Sequence, residues 1–215
     1  LTLLTMTDAR AAKAARIWFV ALLATAVAVA YSFKHLDVPV LIAVAPYSHH
    51  LQALGDGLGS AILLSCEAIV FLVLAIARVL RGTMSRLGKT VAAGCVSSIS
   101  VYAINASVLK VMFGVLPTGY VLTGWPHALH WFQGSPDHSF PSGHMMLAGA
   151  FLGVVMRHYP KTILPLAAAL AGAGALLIVG SWHFLSDVLA GTFGGVTAGL
   201  LAAEIWLAHE RSLAS

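Results

Sequence analysis

Six stretches of this chain are apolar for close to the length that a helix needs to cross a bilayer, and this limits the folds open to it. They run from about Ile17 to Phe33, Leu58 to Leu80, Val91 to Phe113, Ser142 to Arg157, Thr162 to Gly180 and Leu185 to Ala208, with charges gathered at their ends. A hydrocarbon core about 30 Å thick takes roughly 20 helical residues. Inside it every backbone N–H and C=O must be satisfied within the protein, which helices do locally. A composition of 59% hydrophobic and 9% charged residues, with a mean hydropathy of +0.89, excludes an ordinary soluble domain. The expectation is an all-α polytopic membrane protein, with six transmembrane helices in a single domain spanning residues 1–215. The sixth stretch is rich in Gly and Ala, residues that let helices pack closely in lipid.

The basic residues predict an orientation. Six spans put both termini on one side, together with Arg10, Lys13, Arg16, Arg78, Arg81, Arg86, Lys89, Arg157, Lys161 and Arg211. Lys34 and Lys110 remain opposite, so ten of the twelve Lys and Arg fall together, as expected of a cytoplasmic face. These cations sit in short flanks without an interleaved aromatic stripe, so they orient the chain and touch anionic lipid; no nucleic-acid partner is implied. The first stretch runs into Lys34-His35-Leu36-Asp37 without a small-residue cleavage site, so it is expected to remain as a span. Cys66 and Cys95 fall inside spans and read as small packing residues. Compact size and short loops suit a bacterial inner membrane.

Two outward segments are long enough to hold structure. Leu36 to Gly57, with Pro39, Pro46, His49, His50 and Asp56, reads as a broken amphipathic helix along the interface. Gly114 to Phe140 carries Trp125, His127, His130, Trp131 and His138, and its tryptophans suit headgroup depth, where it would cap whatever lies beneath.

Two polar clusters lie on that same outward face. In Pro141-Ser142-Gly143-His144, the first three residues suit a capped helix start. The same start, with its amides and dipole, also favours a bound phosphate, and His144 at its mouth could protonate a leaving oxygen. His183 and Asp187 are spaced i, i+4, so the carboxylate can fix the imidazole while the other nitrogen attacks phosphorus. Otherwise Asp187 is simply a cap. The fourth span, at about 16 residues and 1.5 Å per residue, is near 24 Å long, which would recess His144 to headgroup depth. Lys110 is either a snorkelling lysine or a phosphate clamp. Asn105 would help the helix pack or orient Lys110, and mid-span Glu67 calls for a partner such as Asn105. His127, His130 and His138 with Asp137 lack a recognisable ligand framework, and neither a metal site nor a cofactor is expected.

Phe140-Pro141-Ser142-Gly143-His144 and the run His183-Phe184-Leu185-Ser186-Asp187-Val188-Leu189-Ala190-Gly191 resemble the type-2 phosphatidate phosphatase superfamily. These are metal-independent lipid phosphate phosphatases that share a site with acid phosphatases and vanadium haloperoxidases. The resemblance covers most of the chain and implies six helices with a site opening outward. It also implies His183 as nucleophile, Asp187 as its orienter and His144 as acid and then base. Lys110, Ser142 and Gly143 would contact phosphate. The family's first motif places Arg-Pro after the Lys, and its third places Ser-Arg before the His. Here Val111-Met112-Phe113-Gly114-Val115-Leu116-Pro117-Thr118 and Leu176-Leu177-Ile178 lack both arginines. Losing such a donor costs on the order of 10²- to 10³-fold in rate. His127, His130, His138 or the Trp182 indole are the candidate substitutes.

The resulting expectation is hydrolysis of a lipid-linked phosphomonoester or pyrophosphate through a phosphohistidine. The alternatives are a noncatalytic lipid-phosphate binder or transporter, and a lipid phosphotransferase using the same site. An intramembrane serine protease built on Ser142 and His183 is disfavoured, because Ser142 follows Pro and both residues lie at span ends.

Overall fold

The computed structural model describes the backbone of residues 2–55 and 60–214 and the side chains of residues 12–48, 51 and 62–212. Asp56 and the start of the second expected span, with the side chains of Arg10, His49 and His50, lie outside the described residues. The described residues form helices and loops and no strands: α1 (Thr2–His35), α2 (Asp37–Gly55), α3 (Ser60–Arg81), α4 (Arg86–Ile104), α5 (Lys110–Phe113), α6 (Thr118–Leu122), α7 (Gly143–His158), α8 (Ile163–Val179) and α9 (Leu185–Ala214). A π-helical turn, Asn105–Leu109, joins α4 to α5, so the third expected span runs on without a break.

Five helical runs among the described residues are long and apolar enough to cross a membrane: Ala12–His35, Ile62–Arg81, Arg86–Leu122, Pro160–Val179 and Leu185–Ser212. The fourth expected span forms as α7, but its 16 residues make it shorter than these five. At 1.5 Å per residue it is about 24 Å long. Outward-facing residues such as Val79 and Leu164, each 82% exposed, are apolar, as they must be when the surrounding solvent is hydrocarbon. This fits an integral membrane protein. The segment expected as a broken interfacial helix is instead one helix, α2, that continues through Pro46. Proline there forfeits a single i→i−4 bond, and the neighbouring turns carry the helix across.

The short α7 is held by backbone contact with α9. Gly149 and Gly153 of α7 face Gly195 and Gly199 of α9, and Gly191 meets Ser142 and Met145 at the start of α7. A Cβ on Gly195 would lie 2.6 Å from the Met146 carbonyl, one on Gly153 2.8 Å from the Val196 carbonyl, and one on Gly199 would overlap the Ala150 carbonyl. The Gly-rich character of the last span therefore reflects a glycine stripe, four residues apart, that brings two helix axes close. Below it Ala93, Val154 and Ala203 form a small-residue core, while Met145, Met156, Leu170 and Val188 fill the face toward α8. On α1, Trp18 reaches α9 through Thr197 Oγ1 at 3.3 Å.

Ionic contacts gather at one end of the bundle. Lys89 pairs with Glu210 at 2.7 Å, Arg157 pairs with Glu204, and Arg86 donates to the His158 carbonyl at 2.9 Å. The other end carries the starts of α7 and α9, the ends of α1 and α5, and a second core of Leu41, Val115, Phe140 and Phe184. Glu67 faces Ser98 on α4 rather than Asn105, which is engaged elsewhere.

The glycine stripe gives a direct prediction. Gly199→Ala should destabilise the fold by about 1–3 kcal/mol, the usual cost of overpacking, and lower the melting temperature in detergent. Gly172→Ala, where a Cβ meets nothing within 4 Å, should not. Equal melting temperatures for both variants would refute the close α7–α9 contact.

Candidate active site

The start of α7 is fixed by three neighbours. Ser142 is its N-cap, with extended backbone (φ −60°, ψ 118°) and Oγ accepting the Met145 N–H at 3.4 Å. This is the capped start expected of Pro-Ser-Gly. The Ser142 N–H donates to the Asp187 carbonyl at 3.1 Å, which ties the first polar cluster to the second. Asn105, in the π-turn, donates Nδ2 to the Pro141 carbonyl at 3.3 Å, and the Lys110 N–H closes that turn on the Asn105 carbonyl. Its side chain thus ties the π-turn to the α7 start, the first of the two roles expected of it. The π-turn rotates Lys110 relative to α4, a common device near functional sites. At Gly143 a Cβ would stand 2.9 Å from the Tyr102 ring, so the position needs glycine for space.

His183 and Asp187 meet as their spacing predicts. His183 Nδ1 lies 3.2 Å from Asp187 Oδ2, with the carboxylate fully buried. The same oxygen accepts the Phe184 N–H at 3.0 Å and the Ser139 hydroxyl. Asp187 is therefore a helix cap and a histidine orienter at once, so the two readings of its spacing describe one geometry. With Nδ1–H directed at the carboxylate, Nε2 keeps its lone pair. That nitrogen faces His144 Nδ1 at 3.4 Å, the two rings meeting edge to face with centroids 5.6 Å apart.

Lys110 is buried at the end of the α4–α5 run, where its Nζ donates to the Pro136 carbonyl at 3.1 Å. Asp187 and Asp137 are the carboxylates that act on its charge. The structure so brings His183, Asp187, His144, Ser142, Gly143 and Lys110 to one end of the bundle.

The two segments that lack the arginines make neutral contacts. Thr118 is buried and its hydroxyl donates to the Ser181 carbonyl, clasping the α5–α6 loop to the turn before His183. Leu176 points away at 47% exposure, while Leu177 packs beside Met145 and Val188 and its carbonyl accepts the Trp182 and His183 amides. The loop histidines are occupied individually. His127 Nε2 lies 3.0 Å from Asp37 Oδ2, and His130 Nδ1 lies 3.1 Å from the Gly114 carbonyl. His138 Nδ1 accepts the Ser135 N–H at 2.8 Å, which requires that nitrogen to be unprotonated, and burial pushes the imidazole below its usual range. His138 is thus a neutral donor rather than a cation. Among the described residues, no group of three or more His, Cys, Asp or Glu side chains converges into a metal-binding cluster. Two contributors escaped the sequence reading. Ser139 carried a signal, being a polar residue directly before Phe140-Pro141; Asp37 carried only that of a lone acid between two apolar helices.

No curated protein and no solved structure matches the chain. The PAP2 superfamily model matches residues 89–211, a stretch that holds the six candidate residues above. A match over more than half of its length places this chain in the PAP2 superfamily, whose members are generally phosphatases acting on phosphate esters.

Proposed function

We propose that the chain hydrolyses a lipid-linked phosphomonoester or pyrophosphate through a phosphohistidine, at the non-cytoplasmic face of its membrane. The observation that carries this reading is the ordered run Ser139, Asp187, His183, His144 at the capped start of a short helix. His183 Nε2 attacks phosphorus, the bond from phosphorus to the lipid oxygen breaks with its electron pair leaving on oxygen, and His144 gives that oxygen a proton. Water then attacks the phosphohistidine while His144 takes its proton, and the P–N bond breaks to release phosphate. Asp187 holds the Nδ1 proton throughout and stabilises the cationic ring. Lys110 and the amides at the α7 start balance the phosphate charge.

The 3.4 Å separation of the two imidazoles defines a closed resting pair. A near-attack N···P approach of about 3–3.5 Å and a proton-transfer contact of about 2.6–3.2 Å cannot both fit within it. The arriving phosphate therefore has to part the rings, with His144, the more exposed of the two, turning outward.

A recessed α7 start supports a lipid substrate, since the site then lies at headgroup depth. The clustering of ionic contacts at the opposite end supports a cytoplasmic location for that end, because basic flanks stay inside.

Two experiments test this reading. With an activated aryl phosphate, which needs no acid to leave, His144→Ala should release a burst of aryl alcohol stoichiometric with enzyme and then stall, because water lacks its base. His183→Ala should give neither burst nor turnover, and Lys110→Met should lower kcat/KM by about 10²- to 10³-fold. A full burst in His183→Ala would eliminate the mechanism. For orientation, Asp137→Cys in a chain with Cys66 and Cys95 replaced by Ala should react in intact cells with a membrane-impermeant maleimide. Arg81→Cys should react only after permeabilisation, and the reverse pattern would invert the topology.

A further inference from the structure

A second buried histidine–carboxylate pair grips the residues that lie between His183 and Asp187. Asp37, the first residue of α2, is 1% exposed. Its Oδ1 accepts the Ser186 N–H at 3.0 Å, and its Oδ2 accepts the Ser186 hydroxyl. His127 Nε2 lies 3.0 Å from the same Oδ2, so three donors converge on one carboxylate. The His127 ring is sandwiched between Phe33 and Phe184, each centroid 4.2 Å away.

Each contact acts on the first turn of α9. The Ser186 amide is one of the donors that a helix start cannot satisfy for itself, so Asp37 caps α9 from 149 positions away in the chain. Its charge lies at the positive end of the α9 dipole, where an anion is stabilised. Phe184 gives its N–H to Asp187 and presents its ring to His127. The turn from His183 to Asp187 is therefore held on one side by its own carboxylate and on the other by the Asp37–His127 pair. The buried His127 Nδ1 lacks a hydrogen-bond partner, which fits a ring whose Nε2–H serves Asp37.

We propose that Asp37 and His127 are positioning residues that set the angle of the α9 start and thereby the His183–Asp187 hydrogen bond. This rests on the reading of His183 as nucleophile. The His183–Asp187 bond is already at 3.2 Å, so a tilt that lengthens it by a few tenths of an ångström takes it out of hydrogen-bond range. Asp37 also lies outside residues 89–211, so the α1–α2 junction contributes to the site from beyond the region that the family match covers.

The test uses the full chain in detergent micelles, with each variant normalised to folded protein by its melting curve. Asp37→Asn keeps the shape but turns a donor toward Ser186 and His127. It should lower kcat by roughly 10- to 100-fold, the scale of a misplacement approaching 1 Å, with KM little changed. His127→Gln keeps an N–H at the position of Nε2 and should retain most of the activity, whereas His127→Phe keeps the aromatic stack without the donor and should behave like Asp37→Asn. A packing role alone predicts the opposite order. An independent readout is the 15N spectrum of labelled histidines, with His183 identified by its loss in His183→Gln. The Nδ1–H form of His183 should persist in His127→Gln and be lost in Asp37→Asn and His127→Phe. If it is unchanged in those two, or if His127→Phe outperforms His127→Gln, the proposal is overturned. A wild-type chain that shows the Nδ1–H form but turns over no phosphate ester would remove the catalytic reading and leave the positioning claim standing.

Discussion

The contact between α7 and α9 is the constraint on which the rest of the site depends. Hydrocarbon gives two apolar helices little reason to prefer each other over lipid, so their association rests on close van der Waals fit. Glycines at 149 and 153 on one helix, and at 191, 195 and 199 on the other, let backbone meet backbone. The contact continues upward to Gly191, where a Cβ would lie 2.7 Å from the Ser142 carbonyl, and ends in the Ser142 amide donating to the Asp187 carbonyl. Two helix starts that are 42 residues apart in sequence are thereby set side by side. The imidazole pair is a consequence of that placement.

Electrostatically the site is built from one lysine, oriented imidazoles and helix starts, in place of the arginine forks that the superfamily resemblance suggested. In the segment that lacks the first arginine, Thr118 bonds to the Ser181 carbonyl, a neutral clasp that fastens this loop to the turn before His183. With Asp187 buried beside it and Lys110 held under the loop, the resting site has little charge to spare. In the proposed mechanism the transition-state charge would be met mainly by Lys110, His144 and the α7 start, which would make placement of the imidazoles more important and give a second carboxylate behind α9 a physical purpose.

Much of this was legible in the sequence because the signals are local. Apolar run length located five helices long enough to cross a membrane and the shorter α7, i, i+4 spacing paired His183 with Asp187, and Pro-Ser-Gly marked the start of α7. What could not be read was anything that depends on long-range contact. The partner of His127 lies 90 positions away in Asp37, and nothing near either residue advertises the pairing. Ser139 acquires its bond to Asp187 only when the loop folds over α9. For Glu67 the sequence left the partner open between Asn105 and another buried polar group; Asn105 is drawn to the Pro141 carbonyl, and Glu67 meets the buried Ser98. The loop histidines, considered together as substitutes for arginine, are dispersed to three separate partners because each satisfies a different buried or backbone group.

The central claim is that one nitrogen of one histidine carries the phosphoryl group. The phosphoenzyme formed with an activated phosphate ester and quenched in base should be examined by 31P–15N correlation on 15N-histidine-labelled protein. Phosphorus bonded to Nε2 of His183, with Nδ1 still protonated, is the result that this account predicts. Phosphorus on Nδ1, on His144 or on Ser142, or no covalent adduct during turnover, would contradict it.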